Sequence, residues 1–268
     1  MSAVPGVVLA ITVHDPQGRL VESTATYLPA LRERYAALVA LCSPATHPQV
    51  LALLQEHGVH IAHQRPGKVD SGLLGQVRLD TIRAADELGY SHCQLADHDR
   101  ILHWIASYAD ELSDVIAQIT RYDLLVLGRT PRAFDTHPQA QQDTERLATH
   151  AFELAWGAPW DITAGSRGLS RCAIETLLAE SRELSVGNDG EWPLVIRRHP
   201  GLRIGYQETE GLEFETADRY ADEIAQVGSL EAWLSAKYDT LATWEARIRM
   251  AGQIVGAIRR ARERESET

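Results

Sequence analysis

The stretch Cys93-Gln94-Leu95-Ala96-Asp97-His98-Asp99-Arg100 decides the fold, because it predicts a strand that ends in two carboxylates one residue apart. Residues i and i+2 of a strand project to the same side. We therefore expect Asp97 and Asp99 to face one point beyond the strand end. Two converging carboxylates suit a hard divalent cation such as Mg²⁺ or Mn²⁺. The alternative is that Asp99 caps a helix beginning near Ile101 while Asp97 lies in a solvated turn.

Strands and helices alternate around this stretch. Short apolar runs predict strands at residues 7–13, 36–42, 59–63, 91–96 and 124–127. Helical spacing of apolar residues predicts helices at residues 21–33, 49–57, 73–88 and 101–119. This alternation predicts an α/β fold with a mostly parallel sheet sandwiched by helices. Ligands bind such sheets outside the carboxyl ends of the strands, which is where Asp97 and Asp99 fall.

The second half of the chain is less regular. Its predicted elements are helices at residues 139–156, 170–181 and 187–193 and a strand at residues 202–209. Glycines bracket residues 164–168, which are predicted to form a loop. Residues 230–260 have apolar side chains at helical spacing and predict a long C-terminal helix. We expect this helix to pack on the domain or to form the contact of a homodimer, with a domain at residues 1–228 and a helical arm at residues 229–268.

Composition excludes several classes of protein. The chain has 268 residues, of which 44% are hydrophobic and 24% charged, as in an ordinary globular protein. The net charge of −11 argues against nucleic-acid binding, which needs a basic surface. No apolar run reaches membrane-spanning length and no basic-then-apolar leader begins the chain, so a cytoplasmic location is expected. The three cysteines are widely spaced, which favours buried thiols over disulfides or a zinc site.

The order of the motifs resembles the GT-A fold of nucleotide-diphospho-sugar glycosyltransferases, above all the family-2-like and polyprenyl-phosphate-mannose-synthase-like members. The resemblance covers roughly residues 7–206 and consists of several short motifs. These are the first strand up to His14, Gly67-Lys68 and Gly75-Gln76-Val77-Arg78, the Asp97-His98-Asp99 motif, Asp161 with Gly165-Ser166-Arg167-Gly168, and Asn188-Asp189-Gly190-Glu191-Trp192. Each motif is short, and the ordered set carries the likeness.

The resemblance implies a metal-dependent transfer of a sugar from a nucleoside-diphosphate sugar to a small or lipid-linked acceptor. The residues that it places at the nucleotide sugar are Thr12, Val13, His14, Lys68, Arg78, Asp97 and Arg167. Asp97 and Asp99 would hold Mg²⁺ or Mn²⁺, which offsets the charge on the departing diphosphate. Lys68, Arg78 or Arg100 would add charge-assisted hydrogen bonds to phosphate or to the aspartates. Arg167 would hold the diphosphate or an anionic acceptor, or it pairs with a nearby acid at the surface.

Two acids are candidates for handling the acceptor. Asp189 or Glu191 would take the proton of the acceptor hydroxyl as a general base in an inverting transfer. Alternatively, Asn188 and Glu191 form a capping box at the start of a helix. A third metal ligand would come from His137, His150 or His199, but a lone histidine is more often structural or exposed.

Two features depart from the family pattern, and three other classes of protein compete with it. The second strand ends in Cys42-Ser43-Pro44 without an acid, so the identity of the nucleotide base is left open. Arg100 places a cation beside the metal position.

A nucleotidyltransferase would need a glycine-rich basic loop after the first strand, whereas residues 14–20 hold only one glycine and one arginine. A phosphatase with an aspartyl nucleophile would carry its Asp-x-Asp motif after the first strand. The remaining alternative is an inactive GT-A-like scaffold that binds a sugar nucleotide or a partner.

Overall fold

The computed structural model describes residues 4–65 and 71–266, which form one seven-stranded sheet with helices on both faces. The strands are β1 (Val4–Val13), β2 (Ala37–Cys42), β3 (His60–His63), β4 (Tyr90–Asp97), β5 (Leu124–Arg129), β6 (Ser166–Ser170) and β7 (Ile204–Thr209). In the sheet they lie in the order β3-β2-β1-β4-β6-β5-β7. All neighbouring strands are parallel except β6, which runs antiparallel to both β4 and β5. The predicted mostly parallel α/β sheet is therefore confirmed.

Helices cover both faces of this sheet. In chain order they are α1 (Val21–Arg34), α2 (Pro48–Glu56), α3 (Leu74–Asp86), α4 (His98–Ser107), α5 (Ala109–Ile119), α6 (Pro131–Asp135), α7 (Gln139–Trp156), α8 (Arg171–Glu180), α9 (Asn188–Arg197), α10 (Ala221–Val227), α11 (Leu230–Tyr238) and α12 (Leu241–Ser266). A 3₁₀ helix, Glu215–Tyr220, precedes α10. We call residues 215–238 the strap, because its side chains close one side of the cleft described below.

The core has two layers, one on each face of the sheet. Alternate residues of the central strand β1 serve both layers, as the two-residue period of a strand requires. Leu9 and Ile11 pack under α1, α2, α4 and α5, whereas Val8 and Ala10 face α3, α7, α8 and α9. This double burial explains why the parallel strands read as continuous apolar runs in the sequence.

Three elements differ from their sequence-based predictions. The long helix predicted over residues 230–260 is two helices, α11 and α12, separated at residues 239–240. The helix predicted over residues 101–119 is two helices, α4 and α5, which meet at Tyr108 with φ −140° and ψ 50°. The loop predicted over residues 164–168 is wrong, because Ser166–Ser170 form the fully buried strand β6. Leu169 is the only large apolar residue of β6, and the strand exists because its backbone pairs with β4 on one side and β5 on the other.

The C-terminal helix α12 packs on the body of the protein. Its small and branched side chains Ala251, Ile254, Ala257, Ile258 and Ala261 are buried against α7 and α9. Gly190 of α9 lets the two helices approach closely, since a Cβ there would lie 2.4 Å from Ile258. The domain boundary near residue 228 and a homodimer through this helix stay predictions.

No helix within the described residues is long and apolar enough to cross a membrane. Two of the three cysteines, Cys42 and Cys93, are buried as predicted, whereas Cys172 is exposed. Burial raises the pKa of the Cys42 thiol to about 12, so this group stays protonated and behaves as a small apolar side chain.

Candidate functional site

A two-lobed cleft opens at the carboxyl ends of β1, β2 and β4. The first lobe, of about 460 Å³, is lined by Thr12, Val13, His14, Leu41, Ser43 and neighbouring residues. The second lobe, of about 330 Å³, is lined by side chains that include Arg78, His137, Glu145, Asp189 and Arg247. Leu74, Asp97, Asp99 and Arg219 line both lobes and form the border between them. The two predicted metal ligands therefore lie where the lobes meet.

Asp97 is the last residue of β4 and is fixed by the neighbouring strand. The register of β1 and β4 places Thr12 beside Asp97, and the Thr12 hydroxyl donates a hydrogen bond of 2.5 Å to Asp97 Oδ1. Asp99 lies in the first turn of α4, so it is not part of the strand. The i, i+2 strand rule is therefore the wrong reason for their convergence. The strand-to-helix turn brings both carboxylates to the cleft.

The alternative in which Asp99 caps a helix near Ile101 is also wrong. Helix α4 begins at His98, and its N-cap residue Asp97 makes no side-chain capping hydrogen bond. Instead, the Asp97 carboxylate is held by Thr12 and faces the cleft.

Arg219 of the strap forms an ion pair with Asp99. Its side chain is mostly buried and lines both lobes. The neighbouring Arg100 was predicted to pair with the aspartates, and it bonds elsewhere: it donates hydrogen bonds to the Ala164 carbonyl and to the Glu215 carboxylate. The cation that contacts the predicted metal position is thus Arg219, which sequence reasoning missed.

The first lobe takes its walls from strand ends. Thr12, Val13 and His14 all line it, as the sequence predicted for the donor site. His14 Nδ1 lies 2.9 Å from the Ser43 hydroxyl, at the end of β2. His98 closes the floor of the lobe, and burial lowers the pKa of its imidazole to about 4, so this histidine is neutral.

The second lobe contains an ion-pair network. Arg78 of α3 donates hydrogen bonds to Asn188 Oδ1 at 2.9 Å and to Asp189 Oδ1 at 2.8 Å. Arg167 of β6 donates to the same Asp189 oxygen at 3.1 Å. Asp189 therefore faces the lobe while two guanidinium groups hold one of its oxygens.

Arg167 is buried in the sheet, with 2% of its surface exposed. It also donates to the backbone carbonyls of Ser166 and Ile162. Its predicted place in a ligand-binding loop is therefore wrong, because β6 is a central strand. What it holds in this structure is Asp189, so it acts on the second lobe through that carboxylate.

Glu191 lies two residues further along α9, about half a turn away from Asp189, and is 1% exposed. Its carboxylate accepts hydrogen bonds from the Ser181 hydroxyl and from the backbone amides of Arg182 and Glu183, and it pairs with Arg264 of α12. These contacts tie α8, α9 and α12 together. They do not favour the predicted role of Glu191 in handling an acceptor. The predicted capping box is wrong as well, because the N-cap residue is Gly187 and no side chain caps the helix.

Gly165 brings the backbone close to the ligand-facing groups. Its φ of +77° lies in the left-handed region, which favours glycine. A Cβ at this position would lie 2.9 Å from Arg78 Nη2 and 4.0 Å from Asp97 Oδ2. A larger residue would therefore push into the space between Arg78 and Asp97.

Behind the second lobe, Arg129 forms two further buried ion pairs. It bonds Asp161 at 2.7 Å and Glu145 at 2.6 Å, and its side chain is 0% exposed. Burial alone would raise the pKa of the Asp161 carboxyl, but the charge and hydrogen bonds of Arg129 hold it well below its ordinary value. Asp161 is thus part of the scaffold that carries Glu145, a residue of the lobe wall.

The remaining predicted ligands are scattered. Lys68 and the adjoining Gly67 lie outside the described residues. His150 is mostly exposed and His199 pairs with Glu180. His137 lines the second lobe. Within residues 4–65 and 71–266, no group of three or more His, Cys, Asp or Glu side chains is placed to hold a metal ion.

Together, fold and cleft define an α/β protein of GT-A-like architecture, the fold of nucleotide-diphospho-sugar transferases. No protein-family model matches the sequence, and a search of curated proteins finds no similar sequence. Solved structures do match. Glucosyl-3-phosphoglycerate synthase from Mycobacterium tuberculosis with Mn²⁺, UDP-glucose and phosphoglyceric acid has a TM-score of 0.55 and 12% identity over 96% of this chain and 79% of that chain. The same synthase in complex with Mn²⁺, UDP and phosphoglyceric acid has a TM-score of 0.53 and 12% identity, over 96% of this chain and 78% of that chain.

A putative nucleotide-diphospho-sugar transferase from Desulfovibrio desulfuricans G20 aligns over 94% of this chain and 97% of that chain, with 12% identity. Its TM-score of 0.43 is too low to support an argument. At these identities, the likeness to the synthase shows the fold alone. It confirms the GT-A-like fold predicted from the motif order.

Proposed function

We propose that the protein is a metal-dependent glycosyltransferase that moves a sugar from a nucleoside-diphosphate sugar to a small acceptor. The observation that carries this proposal is the position of Asp97 and Asp99 at the border shared by the two lobes. A donor whose nucleotide fills one lobe and whose sugar enters the other must pass its diphosphate across that border. The matching synthase structures support the proposal, since they contain Mn²⁺ with UDP or UDP-glucose.

The first lobe would bind the nucleotide. Thr12, Val13 and His14 line it from the end of β1, and Ser43 lines it from the end of β2. Lys68 lies outside the described residues, in the segment of chain between β3 and α3, and stays a proposed phosphate ligand. Ligand binding at these strand ends is the general behaviour of open α/β sheets.

Asp97 and Asp99 would hold Mg²⁺ or Mn²⁺. Mg²⁺ is commonly bound by one or two carboxylates together with the phosphates of a substrate, so a protein site of two carboxylates fits. When bound, the ion neutralises the charge that develops on the leaving diphosphate. Asp97 is already oriented by its hydrogen bond from Thr12, whereas Asp99 must exchange its pairing with Arg219.

The second lobe would bind the acceptor. Asp189 faces this lobe, and both of its hydrogen bonds from Arg78 and Arg167 go to Oδ1. We assign Asp189 the role of taking the proton of the acceptor hydroxyl, with Arg78 and Arg167 fixing the position of the carboxylate.

A thermal-shift panel of UDP-, GDP- and other sugar nucleotides, each with and without Mn²⁺, tests the proposal. We expect one donor to stabilise the protein only with Mn²⁺. The Asp97→Asn variant keeps an oxygen that can accept from Thr12 but removes the charge, so the metal-dependent shift should disappear. Transfer should fall on the order of a hundredfold or more, because Lewis-acid stabilisation is worth several kcal/mol.

Asp114→Asn on the exposed face of α5 is the matched control and should behave as the wild type. No stabilisation by any sugar nucleotide, with or without metal, would contradict the proposal.

A second candidate is a sugar-nucleotide-binding protein without transferase activity. The ion pair between Arg219 and Asp99 favours it, because an arginine already occupies one of the two proposed metal ligands. The two candidates separate when the stabilising donor is incubated with the protein and Mn²⁺. Release of free nucleoside diphosphate supports the transferase, whereas an intact bound donor supports the binding protein.

A further inference from the structure

Three residues that line the second lobe each carry a buried polar atom without a hydrogen-bond partner within the described part of the chain. These atoms are Arg100 Nε and Arg219 Nε, which are donors, and His137 Nε2. Buried polar groups in folded proteins are nearly always hydrogen-bonded, and an unsatisfied one costs free energy. Three such atoms on residues around one cavity indicate that a ligand completes their hydrogen bonds.

His137 is an acceptor in this set. Its Nδ1 lies 3.1 Å from the Ala133 carbonyl oxygen, which can only accept, so Nδ1 carries the proton. Nε2, on the far side of the ring, therefore has a free lone pair. The side chain is 3% exposed, and its ring packs edge-on against Phe214 at 5.6 Å. Burial, followed by the charges of Arg129 and Arg100, lowers the pKa of His137 well below its ordinary value, so the imidazole is neutral.

The charges of the second lobe offer an anionic acceptor no unpaired cation among the described lining residues. Its wall carries four guanidinium groups and five carboxylates. Four ion pairs account for eight of these groups: Arg78 with Asp189, Arg100 with Glu215, Arg247 with Glu145, and Arg219 with Asp99. Asp97 is left over on the wall. However, Arg167 also pairs with Asp189, and behind the wall Arg129 pairs with Glu145 and Asp161, so the site as a whole holds six guanidinium groups and six carboxylates among the described residues. A divalent ion and the diphosphate of a donor would add charges that approximately cancel.

We infer that the second lobe binds a neutral, polyhydroxylated acceptor, a sugar or a polyol, with His137 Nε2 accepting a hydrogen bond from one of its hydroxyl groups. A hydroxyl both donates and accepts, so several of them can satisfy His137 as well as the Nε donors of Arg100 and Arg219. An ionised phosphate or carboxylate is an acceptor only and has no proton for His137. The inference rests on the proposed function, since it names the acceptor class of the same site.

In the transfer, a second hydroxyl of the acceptor reacts. Its oxygen forms a bond to the anomeric carbon of the donor sugar, and the bond from that carbon to the diphosphate oxygen breaks. The diphosphate leaves with the electron pair, and the hydroxyl proton passes to Asp189. His137 takes no proton in this step. It is a positioning residue, which holds a neighbouring hydroxyl.

The test uses the full chain, Mn²⁺ and the sugar nucleotide that gives the metal-dependent thermal shift. Neutral probes are glycerol, D-glucose, D-mannose and trehalose, and anionic probes are 3-phosphoglycerate and glucose 6-phosphate. Product mass identifies the acceptor that receives the sugar. We expect transfer to at least one neutral probe, with a kcat/KM above that of both anionic probes.

The His137→Phe variant removes the lone pair and keeps a ring. We expect the KM of the neutral acceptor to rise roughly tenfold, as loss of one hydrogen bond predicts, while the KM of the donor and kcat change little. His137→Gln, whose amide oxygen can accept, should recover part of the loss. His150→Phe, an exposed histidine of α7, is the matched control and should match the wild type.

Donor binding, measured separately by thermal shift, distinguishes the two possible failures. If no sugar nucleotide binds, the proposed function fails and the inference fails with it. If the donor binds but only the anionic probes accept the sugar, or no neutral probe does, the inference alone is overturned. An unchanged acceptor KM in a folded His137→Phe protein overturns it as well. If that variant does not fold, the preference of the wild type between the two probe classes decides.

Discussion

The two lobes of the cleft are built in different ways. The first lobe lies on consecutive parallel strands, and its walls are strand ends and apolar side chains such as Val13, Leu41 and Val77. The second lobe combines α3, α7, α9, α12 and the strap, and charged side chains make up a larger share of its wall than of the first lobe's wall. Arg78 and Asp189 are 111 residues apart in the chain, and Arg247 and Glu145 are 102 apart. The first lobe is therefore shaped by the register of the sheet and the second by long-range ion pairs.

This difference has an energetic consequence. A wall made of backbone and apolar side chains tolerates the loss of one polar contact, because the sheet still fixes its shape. A buried ion pair that loses one partner leaves an uncompensated charge in a medium of low polarisability. We therefore expect polar substitutions to be more harmful around the second lobe than around the first.

The largest expected effect is that of Arg129→Met. This change removes the only cation that bonds Asp161 and leaves Glu145 with Arg247 alone, among the ion pairs of the described residues. We expect the free energy of unfolding to fall by about 3–5 kcal/mol, the cost of breaking a buried pair. Urea denaturation followed by circular dichroism measures it.

Thr12→Val is the matched change in the first lobe. It removes the hydrogen bond to Asp97, which is expected to cost about 1.5–3 kcal/mol. Equal losses in the two variants would show that the lobes do not differ in the way that their walls suggest.

Gly165→Ala should have the next largest effect. A residue with a Cβ at positive φ costs about 1–2 kcal/mol, and here the added methyl group also meets Arg78 Nη2. Gly157→Ala is the control, because Gly157 has a φ of +95° and nothing within 4 Å of the added Cβ. The difference in unfolding free energy between the two variants isolates the contact with Arg78. No difference would mean that Arg78 moves aside freely and that the second lobe is less rigid than its ion pairs imply.

The same contrast explains how much the sequence could predict. The alternation of apolar runs with helical segments is enough to predict β1 to β5 and the position of Asp97 and Asp99. Parallel strands that are buried on both faces appear in the sequence as continuous apolar runs, which are easy to recognise. The strand β6 was missed because Ser166, Arg167 and Gly168 carry no such pattern, and only pairing with β4 and β5 makes them a strand. The fold was predictable where burial is local and periodic.

The candidate site was predictable in part for the same reason. The end of the recognisable strand β1 predicts that the first lobe is lined by Thr12, Val13 and His14. The pairing of Asp99 with Arg219 joins residues 120 positions apart, and no motif around Arg219 indicates it. Likewise, the partners of Glu191 come from the end of α8 and from α12, so a single sequence does not show that its carboxylate is fully engaged.

Arg219→Gln tests the border between the lobes. The change removes the cation that pairs with Asp99, so Mn²⁺ has no competing charge at that carboxylate. We expect the affinity for Mn²⁺ without nucleotide to rise roughly tenfold, as measured by isothermal titration calorimetry. Arg32→Gln, on the exposed face of α1, is the control and should leave the affinity unchanged. A weaker affinity in Arg219→Gln would show that Arg219 supports the metal position and does not compete for it.

The smallest effect is expected from His103→Gln, which tests how the strap is held. His103 lies 2.7 Å from Asp218 of the strap and 3.1 Å from Glu213. Burial alone would lower the pKa of His103, but the hydrogen bonds and charges of Asp218 and Glu213 outweigh it and raise the pKa above the ordinary value of 6.5. Because the folded pKa is raised, this stabilisation is fully present below pH 6.5 and is lost as the pH rises through the folded pKa. The wild type should therefore lose stability, by less than about 1 kcal/mol, as the pH rises above 6.5, and His103→Gln should lose none of it. Unfolding free energies measured from roughly pH 5.5 to pH 8.5 check this, because that range extends from below the ordinary histidine pKa to well above it. The same slope in both proteins would mean that His103 does not fasten the strap, which is then held by its other contacts, such as those of Arg100 with Glu215 and Arg19 with Glu223.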